Sequence, residues 1–139
     1  EREFQNLINS IKADFEPENI KDEKEFQAQL AVFLKAKYPD KKIKREFITK
    51  AKNELDIIVD DKYVFELKVP LTRAILRDLG AQLEEYQEEY PNVCAVIADT
   101  SEIDESVESG LTQNIKQYSD KYKVKYGIQT LVFAIKKRK

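Results

Sequence analysis

The chain has 139 residues, which is room for one packed domain but not for a motor or a second large module. Hydrophobic residues make up 42% of it, seven Phe and seven Tyr can fill a core, and only three Gly and four Pro argue against a low-complexity chain. His is absent and Cys94 is alone, which excludes histidine general bases, histidine zinc sites, disulfide frameworks and cysteine zinc clusters. Any hydrolytic chemistry must use carboxylates, lysine, tyrosine or a metal held by oxygen.

Taken in chain order, Phe4, Leu7, Ile8, Ile11 and Phe15 have helical spacing, so residues 2–15 are predicted to form an amphipathic helix. A second helix follows Pro17. Asp22 with Glu25 three residues later resembles a capping box, and Phe26, Leu30, Phe33 and Leu34 give its apolar stripe. The period then changes to two. Strands are predicted from Lys42 to Thr49, from Glu54 to Asp60 and from Tyr63 to Val69, an antiparallel meander with a turn near Asp60 and Asp61. Ile75, Leu79, Leu83, Tyr86 and Tyr90 return to helical spacing over 72–90. Val93 to Ala98 is a continuous apolar run, as in a strand buried on both faces, and its arrival through a helix implies a parallel neighbour. A helix is predicted over 103–122, then one or two strands from Val124 to Ile135 with a bend at Gly127.

The expected architecture is α/β: a mixed sheet, antiparallel meander plus parallel strand, flanked by helices on both faces. One domain spans 1–139, with a core at about 20–100, an extra N-terminal helix at 1–15 and a C-terminal helix and strand at 103–139. No apolar run is long enough to cross a membrane, and no secretory apolar region is visible, so a cytoplasmic protein is expected.

The net charge of −2 hides segregation. Lys35 to Lys52 carries eight basic residues against Asp40 and Glu46, Lys121 to Lys139 carries seven and no acidic one, and Glu84 to Glu108 carries nine acidic residues and no basic one. These are either solvated faces or, for the basic segments, a footprint for a polyanion.

The segment from Asn53 to Val69 holds the chemistry. Strand alternation puts Leu55, Ile57 and Val59 on one face and Asp56 with Ile58 on the other; across the turn it groups Glu66 and Lys68 with Val64. A turn at Asp60-Asp61-Lys62 would set Asp56 directly opposite Glu66. Two carboxylates so close repel, and partial burial makes it worse. A divalent cation removes the conflict, and hard oxygen ligands suit Mg²⁺ or Mn²⁺. Lys68 would sit beside it, ready to stabilise negative charge on a phosphate. The competing reading is an ordinary cross-strand ion pair.

Asp56, followed across a hairpin by Glu66-Leu67-Lys68, resembles the PD-(D/E)XK nuclease superfamily, the restriction endonuclease-like fold. The order of elements over 20–100 is similar to that superfamily's core, although Leu55 stands where the motif's name has Pro. The resemblance implies Asp56, Glu66, the Leu67 carbonyl and Glu23 as metal ligands for Mg²⁺ or Mn²⁺, and Lys68 as the catalytic lysine. Glu23 shares the stripe of Phe26 and Leu30 and is preferred over Glu25, which suits the cap of the helix. Gln82-Leu83-Glu84-Glu85-Tyr86 is similar to the Q-x-x-x-Y element of the RecB-like branch, which implies a role for Gln82 in catalysis and for Tyr86 in contacting nucleic acid. Core packing is the alternative for Tyr86. Arg73, Arg77, Lys50 and Lys52 are candidate phosphate contacts; for the two arginines, solvated helix charges are the competing reading. The implied activity is hydrolysis of phosphodiester bonds, with DNA the commoner substrate, leaving a 5′-phosphate and a 3′-hydroxyl. The implied assembly is a homodimer or part of a larger protein. The rival expectations are a nucleic-acid-binding module that does not cleave and a protein-interaction domain.

Overall fold

The computed structural model describes residues 1–137, so Arg138 and Lys139 of the basic tail lie outside the described residues. Among the described residues, helices α1 (Arg2–Asp14) and α2 (Glu23–Lys37) precede a meander of β1 (Ile43–Ile48), β2 (Glu54–Val59) and β3 (Tyr63–Lys68). Helix α3 (Arg73–Glu89), strand β4 (Asn92–Asp99), helix α4 (Leu111–Tyr126) and strand β5 (Gln129–Ala134) follow. The sheet order is β1-β2-β3-β4-β5. The first three strands pair antiparallel, and β3, β4 and β5 run parallel, as a strand reached through a helix requires.

Two cores sandwich this sheet. Ile57, Val59, Phe65, Cys94 and Val96 pack with Leu7 and Ile11 of α1 and Phe26, Leu30 and Leu34 of α2. Ile58, Val64, Ala95 and Ile97 pack with Leu79 and Leu83 of α3 and Ile115 and Tyr122 of α4. Alternate residues of β4 therefore feed opposite cores, and Val93 to Ala98 are all buried.

Local chemistry sets the joints. Asp22 accepts from the Glu25 N–H at 2.9 Å and caps α2, while Glu25 accepts from the Lys21 N–H at 3.2 Å. The β2–β3 turn places Asp60 and Asp61 at φ 53° and 58°, a region in which Asp is less penalised than most residues.

Two expected boundaries are corrected. Residues 103–110 are not helix: α4 begins at Leu111. Asp104 accepts from the Ser106 N–H at 2.9 Å, and the Glu108 N–H donates to the Leu71 carbonyl at 2.8 Å, so backbone donors that a helix would have paired within itself are satisfied elsewhere. Ile103 and Val107 keep helical spacing, but Ser109 and Gly110 break the run, and Gly110 has φ 79°. Gly127 is likewise not a bend inside a strand. It ends α4 in the left-handed region, its N–H returning to the Lys123 carbonyl at 2.9 Å and the Ile128 N–H to the Tyr122 carbonyl at 3.3 Å, and Val124 to Tyr126 are helical.

Candidate functional site

Antiparallel pairing of β2 and β3 runs Val59↔Tyr63, Ile58↔Val64, Ile57↔Phe65. One further step in that register sets Asp56 opposite Glu66, near enough for each carboxyl to shift the other's titration. The strands part there. The Leu67 N–H donates to Asp56 Oδ2 at 2.8 Å rather than to a β2 carbonyl. A strand residue turns its N–H and C=O to the same side, so the Leu67 carbonyl faces the same gap.

The neighbouring strand is irregular at the same level. Arg45 pairs with Ile57 and Phe47 with Leu55, but Glu46, opposite Asp56, drops out of the ladder with φ 51°. That backbone costs a residue other than Gly roughly 1–2 kcal/mol. The strict alternation expected of β2 does not hold. Leu55 packs with Ile58 and Val64 in the α3–α4 core instead of beside Ile57 and Val59. Asp56, half-buried, meets α2 on one side, and its charge reaches Tyr86 of α3 on the other.

Electrostatics at the pair are severe. Glu66 is 3% exposed and its Oε1 has no hydrogen-bond partner. Burial, and then the charge of Asp56, push its pKa up to about 9; Lys68 opposes this only in part. Asp56 is also raised, by burial first, against the Leu67 N–H and the neighbouring Glu66 carboxyl. An anion placed in so little water, facing another anion, holds its proton unless a cation replaces it.

Lys68 ion-pairs with Glu23 at 3.1 Å rather than with either of the two carboxyls. Glu23, on the first turn of α2, therefore reaches the site through the lysine. Glu25 stays at the helix cap. Among the described residues, no group of three or more His, Cys, Asp and Glu side chains is gathered to hold a metal ion.

Helix α3 lies over the pair on the opposite layer. The Tyr86 hydroxyl donates to the Glu54 carbonyl at 3.2 Å, and its pKa is raised by burial and then by the charges of Glu66 and Asp56. Gln82, one turn earlier on the same helix, has a buried Oε1 with no partner. Tyr86 is 6% exposed and belongs to the α3–α4 core, so the core reading of it is correct as far as packing goes.

The expected phosphate contacts are dispersed. Arg73 lies over the Tyr118 ring of α4 at 5.9 Å, and Arg77 borders a groove between α3 and α4. Neither has a contact with Asp56, Glu66 or Lys68. Lys50 and Lys52 are exposed on the β1–β2 turn, which Glu89 clamps by accepting from Thr49 Oγ1 at 2.6 Å and Asn53 Nδ2 at 3.0 Å. Sequence reasoning missed two residues that the structure brings to the site. Gln27 Nε2 donates to Asp56 Oδ1 at 3.4 Å, and Arg45 Nε donates to Gln27 Oε1 at 2.9 Å. The available signal was spacing: Gln27 stands one turn after Glu23.

The residues fit a small hard cation. The donors are oxygen only: two carboxyls, one with an unpartnered buried oxygen, and a carbonyl turned to the same gap. Mg²⁺ keeps several waters and commonly takes only one or two carboxylates together with substrate phosphate, so a third acidic ligand is not required. Comparison with protein-family models found no match, and neither the curated proteins nor the solved structures returned one. Among the described residues, no helix is long and apolar enough to cross a membrane.

Proposed function

We propose that the protein is a metal-dependent nuclease of the PD-(D/E)XK type, acting on phosphodiester bonds of nucleic acid, with DNA as the favoured substrate. One observation carries the reading: Asp56 and Glu66 meet where the meander opens, and Glu66 is held near pKa 9 with an orphaned oxygen. Supporting it are the element order, a meander followed by a helix and a parallel strand, and the ammonium of Lys68 at the end of β3. In this reading Asp56, Glu66 and the Leu67 carbonyl hold Mg²⁺ or Mn²⁺, which when bound supplies charge for phosphate oxygens and acidifies water. Lys68 stabilises the charge that builds on the phosphate in the transition state, and Glu23 holds Lys68 in place until substrate competes for it. Gln82 offers an amide to water or phosphate. Tyr86 lines the site through its hydroxyl.

The test is an incubation with single-stranded, duplex and branched DNA and with RNA, in Mg²⁺ or Mn²⁺ and in chelator. Cleavage of at least one substrate that stops with chelator is expected. Glu66→Ala and Lys68→Ala should each lower the rate about a hundredfold or more. Activity that survives both substitutions excludes these roles. A second reading, a nucleic-acid-binding module that does not cleave, is favoured by the Lys68–Glu23 ion pair, in which Glu23 rather than Asp56 or Glu66 engages the ammonium, although its charge still acts on both. Such a module would bind equally well with and without Mg²⁺.

A further inference from the structure

We propose that Gln27 is a positioning residue that aims the Asp56 carboxylate, and that Arg45 locks the Gln27 amide in the one orientation able to do so. The inference rests on the reading of Asp56 and Glu66 as a dication site. Gln27 is 4% exposed on the inner face of α2 and stands between the two groups, its Nε2 on Asp56 Oδ1 and its Oε1 on Arg45 Nε. The two ends of a glutamine amide are alike in shape, so its orientation is decided by what each end faces. Arginine has donors and no acceptor. The amide oxygen must therefore turn to Arg45, which leaves the NH₂ group for Asp56. With Oδ2 on the Leu67 N–H at 2.8 Å, both carboxylate oxygens are then oriented by neutral donors.

Neutral donors have an advantage here. A guanidinium placed directly on Asp56 would satisfy its charge and compete with a cation. Relayed through an amide, Arg45 fixes the geometry while its own charge stays one side chain further off. The same helix face also carries Glu23, one turn earlier, on Lys68. So α2 orients the carboxylate and the ammonium together, through Gln27 and Glu23. Arg45 stands just before the left-handed Glu46, where the pairing of β1 with β2 skips Asp56. Groups that orient metal ligands from behind typically change metal affinity about 10–100-fold when removed.

The experiment is Mn²⁺ titration by calorimetry on the whole chain and on Gln27→Leu, Arg45→Ala and the double variant, each checked for folding by circular dichroism. Gln27→Leu should weaken Mn²⁺ binding about tenfold or more. Arg45→Ala should weaken it in the same direction, and the double variant should bind no worse than Gln27→Leu alone, because Arg45 acts only through the amide. Should Gln27→Leu fail to fold, the exposed Arg45→Ala variant decides by itself. Unchanged affinity in Arg45→Ala, or losses that add in the double variant, overturn the relay. If the native chain takes up no Mn²⁺, the dication site falls and the relay with it. If the native chain binds and the variants bind equally tightly, the relay alone falls.

Discussion

Glu66 is asked to ionise where water hardly reaches, and that demand has a measurable consequence without any substrate. Its pKa is pushed up to about 9 in the folded protein, against an ordinary carboxylate value near 4.5. Below the ordinary value both folded and unfolded chains hold the proton, and stability is complete. As pH rises toward 9 the unfolded chain releases its proton while the folded one retains it, so stability falls across that window. Glu89, held low by the Thr49 hydroxyl, works in the opposite direction, and its contribution is lost only in acid, as pH falls through its folded pKa. In chelator, the melting temperature should drop between pH 5 and pH 9. Glu66→Gln should flatten that slope and melt roughly 5 °C or more higher than the native chain at pH 8. A native profile that is flat over this range, or a destabilised Glu66→Gln, would mean that the pair is not frustrated. At this scale the sequence was partly legible. Strand parity and the short turn bring Asp56 to Glu66, and that meeting is observed. Glu46 was not legible, because a left-handed backbone at a glutamate leaves no trace in alternation, and nor was the parting of Leu55 from Ile57 at the same level of the sheet. Gln27 escaped for a related reason, since a buried amide between two strands' polar groups depends on contacts distant in the chain.

Among the elements, the long periodic ones were readable from their apolar stripes, and the failures sit where local polar chemistry competes with the helix. Ile103 and Val107 extend the stripe of α4 backward, yet Asp104 and Ser106 bond to one another and Glu108 caps Arg73 instead. The close approach of α3 to α4 shows a different constraint. Gly80 faces the Tyr122 ring, and a Cβ there would meet Tyr122 Cε1 at 3.0 Å. The Tyr122 hydroxyl donates to the Leu76 carbonyl, so the ring is anchored at its far end and cannot readily yield. Gly80→Val adds a Cβ and two methyl groups in that space and should destabilise the protein by about 1–3 kcal/mol, read from urea unfolding. The same substitution at Ala81, exposed on the same helix, should cost about 1 kcal/mol or less, from helix propensity alone. Equal effects at the two positions would show that α3 and α4 do not touch as described.

For the molecule as a whole, the mixed five-stranded sheet and the two helical layers follow from the order of periodicities, and the candidate site lies where the pairing of β2 with both its neighbours lapses at Asp56. Charge segregation was visible in the sequence, but its use was not. Lys37 is ion-paired with Asp14, Lys41 with Glu3 and Asp60, and Lys42 and Lys44 both with Asp61, so part of the basic segment answers acids of the same chain. Lys50 and Lys52 remain exposed on their turn. The reading therefore depends less on a broad basic surface than on two carboxyls that share a gap between β2 and β3. Diffraction from crystals grown with Mn²⁺, collected across the manganese absorption edge, tests this most directly. The account predicts an anomalous peak between the Asp56 and Glu66 carboxylates that is absent in Glu66→Gln crystals. A fully occupied manganese elsewhere, with nothing at the pair, would contradict it.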